Sequence, residues 1–358
     1  MKKHFLLVLC FIGLMGCSTD DNSGEIPSED TEMYFPPIGS GEWETKTPQD
    51  LGWNTETIPE LENYLSQNGT RAFLILKNGK IVMEKYWGNN IANTETFDKN
   101  TNWYWASAGK TLTAFLVGIA QEEGILNIND RSSDYLGENW SSLDLNKENE
   151  ILLKHHLTMT TGLDYNVPNI DCTDPECLQF GVEVGTQWYY HNAAYTLLEQ
   201  VVSNASGMDF NDFTDLKIQD KIGMNGSWIY LDYNRVYWSS ARDAARFGLL
   251  LLNEGIWNET PVLADANYFN EMINSSQDIN PSYGYLTWLN GKSEIMVPGF
   301  SNSFNTPLSE NAPTDLYAAM GKNGQFINVV PSKNLVVIRM GEAPGEDLVP
   351  IEFHNEMW

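Results

Sequence analysis

A serine and a lysine three positions apart have the types and spacing that acyl transfer requires. Ser107 and Lys110 form the only Ser-x-x-Lys in the chain, and an apolar run from Thr111 to Ala120 follows them. Because three residues make almost one helical turn, the hydroxyl and the amine project from one face. A desolvated neutral lysine can take the serine proton, and a helix N-terminus favours a developing oxyanion. The pair therefore predicts chemistry through a serine ester.

Two further short motifs follow in the chain, Tyr190-His191-Asn192 and Lys322-Asn323-Gly324. Each pattern occurs a second time. Tyr268-x-Asn270 lies in a predicted surface helix, and Lys77-Asn78-Gly79 is better explained as a hairpin turn. Tyr190 also belongs to an aromatic cluster that could be core, and the neighbouring Tyr189 is the alternative register. We interpret His191 as structural.

In this order the three motifs resemble those of class C β-lactamases, penicillin-binding proteins and related serine hydrolases, which include family VIII esterases and 6-aminohexanoate-dimer hydrolase. The segments 157–163 (LTMTTGL) and 243–248 (DAARFG) match that family as well. The resemblance covers roughly residues 50–345. It implies a β-lactamase/transpeptidase-like fold of the α/β (α+β) class and an acyl-enzyme mechanism.

The resemblance also implies a role for each motif. Ser107 attacks the carbonyl carbon, and Lys110 either accepts its proton or keeps the phenol of Tyr190 acidic. Tyr190 passes the proton to the leaving group. A tyrosine whose pKa is near 10 needs cationic neighbours to act as a base near neutral pH.

The remaining implied roles belong to binding and to oxyanion stabilisation. Asn192 orients Lys110 or the substrate, and Lys322 meets the tyrosine or a substrate anion. The backbone N–H groups of Ser107 and Gln325 form the oxyanion hole, with Gly324 allowing close approach. Asn323 departs from the Thr or Ser that β-lactam-cleaving members carry, which favours a general esterase or amidase. Aromatic residues are candidates for the acyl-binding wall: Trp103, Tyr104, Trp105, Tyr283, Tyr285 and Trp288.

Hydrophobic patterning predicts elements that fit this family. Two β-rich runs, 71–76 and 80–87, flank Asn78-Gly79, and three more occupy 315–320, 325–330 and 335–340. Helical spacing covers 192–204 and 240–252. We therefore expect one antiparallel sheet built from N- and C-terminal segments and flanked by helices, with a mostly helical lobe over roughly 125–240.

The N-terminus predicts export. Residues 1–17 combine two lysines, a short apolar stretch and Leu14-Met15-Gly16-Cys17, which resembles a bacterial lipobox; an ordinary secretory signal is the alternative. We expect lipid on Cys17 and anchoring to a bacterial membrane, at the periplasmic or surface face of an outer membrane. Residues 18–45 are predicted to be a flexible tether, and residues 46–358 the hydrolase domain.

Charge and cysteine content limit the partners. A formal net charge of -27 in 358 residues repels phosphate backbones, so we expect no nucleic-acid binding. Cys172 and Cys177 predict a small loop disulfide in an exported protein, with a metal site as the alternative. We expect neither metal nor cofactor. The preferred function is cleavage of a small ester or amide; a cell-wall D-amino-acid peptidase, a β-lactamase and a non-catalytic surface binding protein remain alternatives.

Overall fold

An antiparallel sheet joins the two ends of the domain. The computed structural model describes residues 32–358. Its strands are β1 (Thr70–Lys77), β2 (Lys80–Tyr86), β3 (Trp103–Tyr104), β4 (Gly226–Leu231), β5 (Asn234–Ser239), β6 (Ile256–Trp257), β7 (Thr260–Pro261), β8 (Trp288–Leu289), β9 (Tyr317–Gly321), β10 (Gln325–Val330) and β11 (Leu335–Gly341). Six of these strands form the sheet, in the order β2-β1-β11-β10-β9-β8. The predicted sheet of N- and C-terminal segments is confirmed, and so is the Asn78-Gly79 hairpin turn between β1 and β2.

Helices cover the sheet and form the centre of the chain. They are α1 (Ile58–Gln67), α2 (Gly109–Glu122), α3 (Ser133–Leu136), α4 (Leu145–Glu148), α5 (Leu153–Leu157), α6 (Asn192–Ser206), α7 (Phe210–Thr214), α8 (Asp220–Ile222), α9 (Ala241–Leu252), α10 (Ala266–Met272) and α11 (Ile351–Met357). The α2 residues from Gly109 to Ala120 are buried, as a helix that is apolar on nearly all sides requires. The α9 helix packs closely on the sheet, because Gly248 has no Cβ to collide with Val336.

The region between residues 125 and 240 contains helices α3 to α8, a long irregular segment between α5 and α6, and a β-hairpin. Strands β4 and β5 pair with each other, and β5 pairs with β3 to make a three-stranded sheet. This small sheet matters for function because β3 leads directly into the turn that carries Ser107. The α6 helix ends as predicted, with Gly207 in the left-handed conformation that glycine adopts readily.

The predicted tether is wrong in its second half. Residues 33–358 form one compact unit, so the segment from 33 to 45 belongs to the domain. The indole N–H of Trp43 donates to the carbonyl of Gly79 at 2.7 Å, and Arg246 donates to the carbonyls of Pro36 and Pro37. Anchoring by isolated aromatic and proline residues leaves no hydrophobic periodicity in the sequence. The predicted signal peptide and the lipidation at Cys17 lie outside the described residues.

No helix within residues 32–358 has the length and apolarity that crossing a membrane requires. The predicted disulfide between Cys172 and Cys177 is present, in the loop that precedes α6. This loop matters for the site, because Asp171 lies immediately before the first cysteine.

Candidate active site

Ser107 lies in a tight turn at the start of α2. The turn (Ala106–Ala108) is a short 3₁₀ helix, and Ala106 enters it with a φ of 48°, a conformation unusual for a residue with a Cβ. The preceding Trp105 is fixed on both sides: its backbone N–H donates to the carbonyl of Tyr237 at 2.8 Å, and its indole N–H donates to Ser239 Oγ at 2.8 Å. The hydroxyl of Ser107 is therefore held by the small sheet as well as by α2.

Lys110 is buried directly beneath Ser107. Its side chain is 2% exposed, and its Nζ donates to Ser107 Oγ at 2.9 Å. The same Nζ lies 3.8 Å from the ring centroid of Tyr195 and 4.8 Å from that of Tyr190. The predicted Ser107 and Lys110 pair thus has the geometry of a nucleophile and its base.

Burial makes Lys110 a base that can be neutral near physiological pH. Removal from water disfavours the ammonium form and lowers the pKa of Lys110 to about 7, although the nearby carboxylates of Asp171 and Glu199 oppose this change. Glu199 is itself buried, on α6, and burial raises its pKa to about 8. The pKa of Lys110 therefore reflects desolvation first and two acidic neighbours second.

Tyr190 is the tyrosine that reaches the nucleophile. It is buried just before α6, its hydroxyl lies near enough to Ser107 for that side chain to lower its pKa, and its ring stacks on Trp288 with the centroids 5.8 Å apart. Burial raises the pKa of Tyr190 well above its usual value, more than Ser107 lowers it. The phenol is consequently protonated at neutral pH. The alternative register is disfavoured, because Tyr189 stacks on Tyr165 instead, with ring centroids 3.7 Å apart.

Asn192 binds the carboxylate of Asp171, which the sequence analysis did not identify as part of the site. Its Nδ2 donates to Asp171 Oδ1 at 2.7 Å, while its buried Oδ1 has no hydrogen-bond partner among the described residues. Asp171 lines the same cavity as Ser107. The only signal for Asp171 in the sequence was its place before the disulfide. His191 is buried and bonds the Asp164 carbonyl through Nε2, in keeping with a structural role.

The residues of the third motif follow the glycine that lies against Ser107 and do not include it. Lys322, Asn323 and Gly324 form the tight turn between β9 and β10, and the preceding Gly321 is the glycine that approaches the nucleophile. A Cβ on Gly321 would lie 3.0 Å from the backbone nitrogen of Ser107. A Cβ on Gly324 would instead meet the guanidinium of Arg339.

Lys322 lines the cavity, whereas Gln325 does not reach it. Gln325 begins β10 and is buried; its amide donates to the Gly341 carbonyl at 2.7 Å and accepts from the Gly341 N–H. Asn323 is also turned away, with its Nδ2 donating to the hydroxyl of Tyr104 at 2.7 Å. Within residues 32–358, no carboxylate makes an ion pair with the exposed Lys322.

These side chains surround a cavity of about 360 Å³. Its lining includes Ser107 and the polar groups around it, together with a set of apolar or aromatic side chains: Ile170, Tyr189, Val236, Pro298, Leu348 and Val349. None of the six aromatic candidates for the acyl wall lines it; Trp288, for example, stacks on Tyr190 instead. The aromatic residues that line the cavity are Tyr189, Tyr190 and Tyr195. For Tyr195, the sequence indicated only that it belongs to the helix predicted from Asn192 onward.

The part of the chain from residue 32 onward has no cluster of three or more His, Cys, Asp or Glu side chains arranged to hold a metal ion. Cys172 and Cys177, the thiols considered as metal ligands, are joined to each other. The chemistry available in the cavity is therefore that of Ser107, Lys110, Tyr190 and the polar groups beside them.

Comparison with known proteins places this arrangement in a family. The family model named Beta-lactamase matches residues 66–349. An uncharacterized protein of Alkalihalophilus pseudofirmus is 22% identical over 305 residues, which span 76% of this chain and 83% of that protein. The "Putative penicillin-binding protein PbpX" of Bacillus subtilis is 25% identical over 254 residues, 66% of this chain but only 63% of that protein.

The fold is similar to that of solved structures at low sequence identity. The "Putative 6-aminohexanoate-dimer hydrolase from Bacillus anthracis" superposes with a TM-score of 0.63 at 17% identity, covering 83% of this chain and 80% of that one. The family match spans most of the chain and includes all three motifs, and these relatives have the fold that the motifs implied. The chain therefore belongs to the β-lactamase family, whose members are serine hydrolases in general.

Proposed function

We propose that the protein is a serine hydrolase that cleaves a small ester or amide through a covalent acyl-enzyme on Ser107. The observation that carries this proposal is the 2.9 Å contact between Lys110 Nζ and Ser107 Oγ, in a burial that brings the pKa of Lys110 to about 7. Neutral Lys110 accepts the serine proton as Oγ bonds to the carbonyl carbon.

Tyr190 serves as the acid for the leaving group. Its raised pKa keeps the phenol protonated, which suits it to donate rather than to accept. When the tetrahedral adduct collapses, the bond to the leaving oxygen or nitrogen breaks and that atom takes the phenol proton. The ammonium of Lys110 then returns a proton to Tyr190. Water repeats the sequence in reverse to release the acid product and restore Ser107.

Two backbone N–H groups stabilise the oxyanion in this scheme. Ser107 supplies one, and Lys322 supplies the other in place of the predicted Gln325. The support is the close approach of Gly321 to the Ser107 nitrogen, which brings the next residue to the cavity. Each such donor is worth about 2.7–4 kcal/mol of transition-state stabilisation in other hydrolases.

Esters and simple amides fit the cavity better than β-lactams. Asn323 binds Tyr104 and offers no hydroxyl to a lactam carboxylate. Lys322, unpaired with any described carboxylate at the cavity, favours a second candidate with an anionic group, such as a cell-wall peptide ending in a D-amino acid. Both candidates share the acyl-enzyme, so the nucleophile is tested before the substrate.

Intact mass after treatment with a fluorophosphonate tests the nucleophile. The wild type and Ser227→Ala, which removes an exposed hydroxyl elsewhere, should each gain one adduct, and Ser107→Ala none. Turnover of p-nitrophenyl acetate should follow the same pattern. A folded wild type without adduct or turnover would refute the proposal and favour a binding protein.

A chromogenic cephalosporin and a D-alanyl-D-alanine peptide, assayed in parallel, separate the candidate substrates. We expect the ester to be cleaved with the larger kcat/KM. Faster cleavage of the cephalosporin would identify a β-lactamase, and faster release of D-alanine a cell-wall peptidase. Either result would preserve Ser107 as the nucleophile while correcting the substrate class.

A further inference from the structure

The apolar wall of the cavity, formed by Ile170, Val236, Pro298, Leu348 and Val349, has no role in the chemistry described so far. We propose that it is a subsite for a hydrocarbon group of the substrate, so that the protein prefers esters or amides carrying a medium-length alkyl or acyl chain. This inference rests on the proposed function, because it names the substrate class of the same site. It is argued from the exposure and position of three side chains.

Leu348 is the strongest indication. It lines the cavity, yet its side chain is 53% exposed. Its neighbours hold it in place: Pro350 is buried, and Val349 packs on the core and accepts a hydrogen bond from the Ile351 N–H at 2.9 Å. A leucine on anchored backbone that still faces open space is stabilised when an apolar group covers it. A hydrocarbon chain in the cavity would supply part of that cover.

A second exposed apolar group follows the cavity wall formed by Pro298 and Gly299. Phe300, the next residue, is 53% exposed, and Phe304 is 42% exposed; their rings pack edge to face at 5.6 Å. The segment is held by backbone hydrogen bonds, from Phe300 to Val297 and between Phe304 and Ile295 in both directions. Neither ring lines the cavity itself, but the pair continues the chain directly from two residues that do. Exposed apolar groups that lie together mark ligand-binding surfaces, unlike single ones scattered over a protein.

The polar groups of the cavity leave this wall free for an apolar ligand. Lys110 is bonded to Ser107, and Asn192 to Asp171. The rest of the lining has two polar side chains, Lys322 and Asn234, beside the aliphatic ones of Ile170, Val236, Pro298, Leu348 and Val349. A substrate would thus place its reacting carbonyl at Ser107 and a hydrocarbon arm along Leu348. Either the acyl chain or the alcohol chain of an ester could be that arm.

Chain-length selectivity tests the inference. Two substrate series are needed: p-nitrophenyl esters from acetate to octanoate, and alkyl acetates from methyl to octyl, followed by acid release. Transfer of one methylene from water to an apolar surface gives up to about a fourfold gain. In at least one series we expect kcat/KM of the wild type to rise about two- to fourfold for each methylene before it levels off.

The variants assign the gradient to the subsite. Leu348→Ser and Phe300→Ser should flatten the rise of kcat/KM with chain length. Leu145→Ser, the same substitution at a 44% exposed leucine outside the cavity, should leave that rise unchanged. Thermal melts establish that each variant is folded. A flat wild-type profile in both series, or a gradient unchanged in Leu348→Ser, would overturn the subsite. Failure of the proposed function looks different, since it removes the fluorophosphonate adduct and acetate turnover altogether.

Discussion

The rate at which Ser107 is acylated should follow the ionisation of one buried amine. Lysine ordinarily has a pKa of 10.5, and burial brings that of Lys110 to about 7. The difference, about 3.5 pH units, corresponds to about 5 kcal/mol. At pH 7 about half of the molecules therefore hold a neutral base, compared with roughly one in three thousand for an unperturbed lysine.

The assay is the pseudo-first-order rate of fluorophosphonate labelling between pH 5 and 9 at constant ionic strength. We expect a tenfold rise for each pH unit below 7 and a plateau above it. Lys110→Arg should show almost no labelling and no such rise with pH (the acid limb of the profile), since a guanidinium stays protonated throughout this range.

Asp171→Asn provides the sharper test, because it changes the base without touching it. The Asp171 carboxylate favours the ammonium form and raises the pKa of Lys110. Its removal should shift the acid limb to lower pH, while an asparagine oxygen can still accept the hydrogen bond from Asn192. Asp174→Asn is the matched control: it lies in the same disulfide loop but is exposed and binds Tyr233. An acid limb far from pH 7, or one that Asp171→Asn leaves unmoved, would refute Lys110 as the base.

Three further outcomes follow from the same geometry. Lys110→Met should abolish labelling yet raise the free energy of unfolding, because the wild type must bury an amine that is protonated in the unfolded chain. In the wild type this penalty falls as pH rises from 7 to 10.5, so the difference in unfolding free energy between the two proteins, measured by urea denaturation, should be smaller at pH 10 than at pH 7. A destabilised variant would contradict this. Gly321→Ala should reduce labelling at least tenfold because its Cβ would lie within 3.0 Å of backbone at the Ser107 turn, whereas Gly41→Ala, with open space around it, should label normally. Replacing both Cys172 and Cys177 by serine should lower the free energy of unfolding by about 2 kcal/mol, the value expected for so short a loop, and an unchanged denaturation midpoint would argue against it.

The contact between Ser107 and Lys110 and the hairpin of β1 and β2 could be predicted because their signals are local. Ser107 and Lys110 are one helical turn apart, so their contact follows from α2 alone. The hairpin between β1 and β2 follows from Asn78-Gly79 in the same way, with both residues at positive φ. Such features need no knowledge of which distant segments meet.

The parts that could not be predicted depend on distant packing. Whether Gly321 or Gly324 lies against Ser107 is decided by where β9 ends, and a run of small and polar residues carries no sign of that boundary. Leu348 was similarly invisible, because a single Leu-Val pair between acidic residues and a proline has no periodicity. Asp171 enters the site only because the disulfide loop folds back toward α6.

The order of strands in the sheet also has a consequence for synthesis. Strand β1 lies between β2 and β11, and Arg339 donates to the carbonyl of Asn68 across 271 positions of sequence. Pairings of such long range make folding slow and leave it incomplete until almost the whole chain exists. The position of Gly321 beside Ser107 depends on the same strands, which are synthesised last. A ribosome that stops before β11 is finished would therefore release a polypeptide that contains Ser107 and Lys110 and yet has no working site.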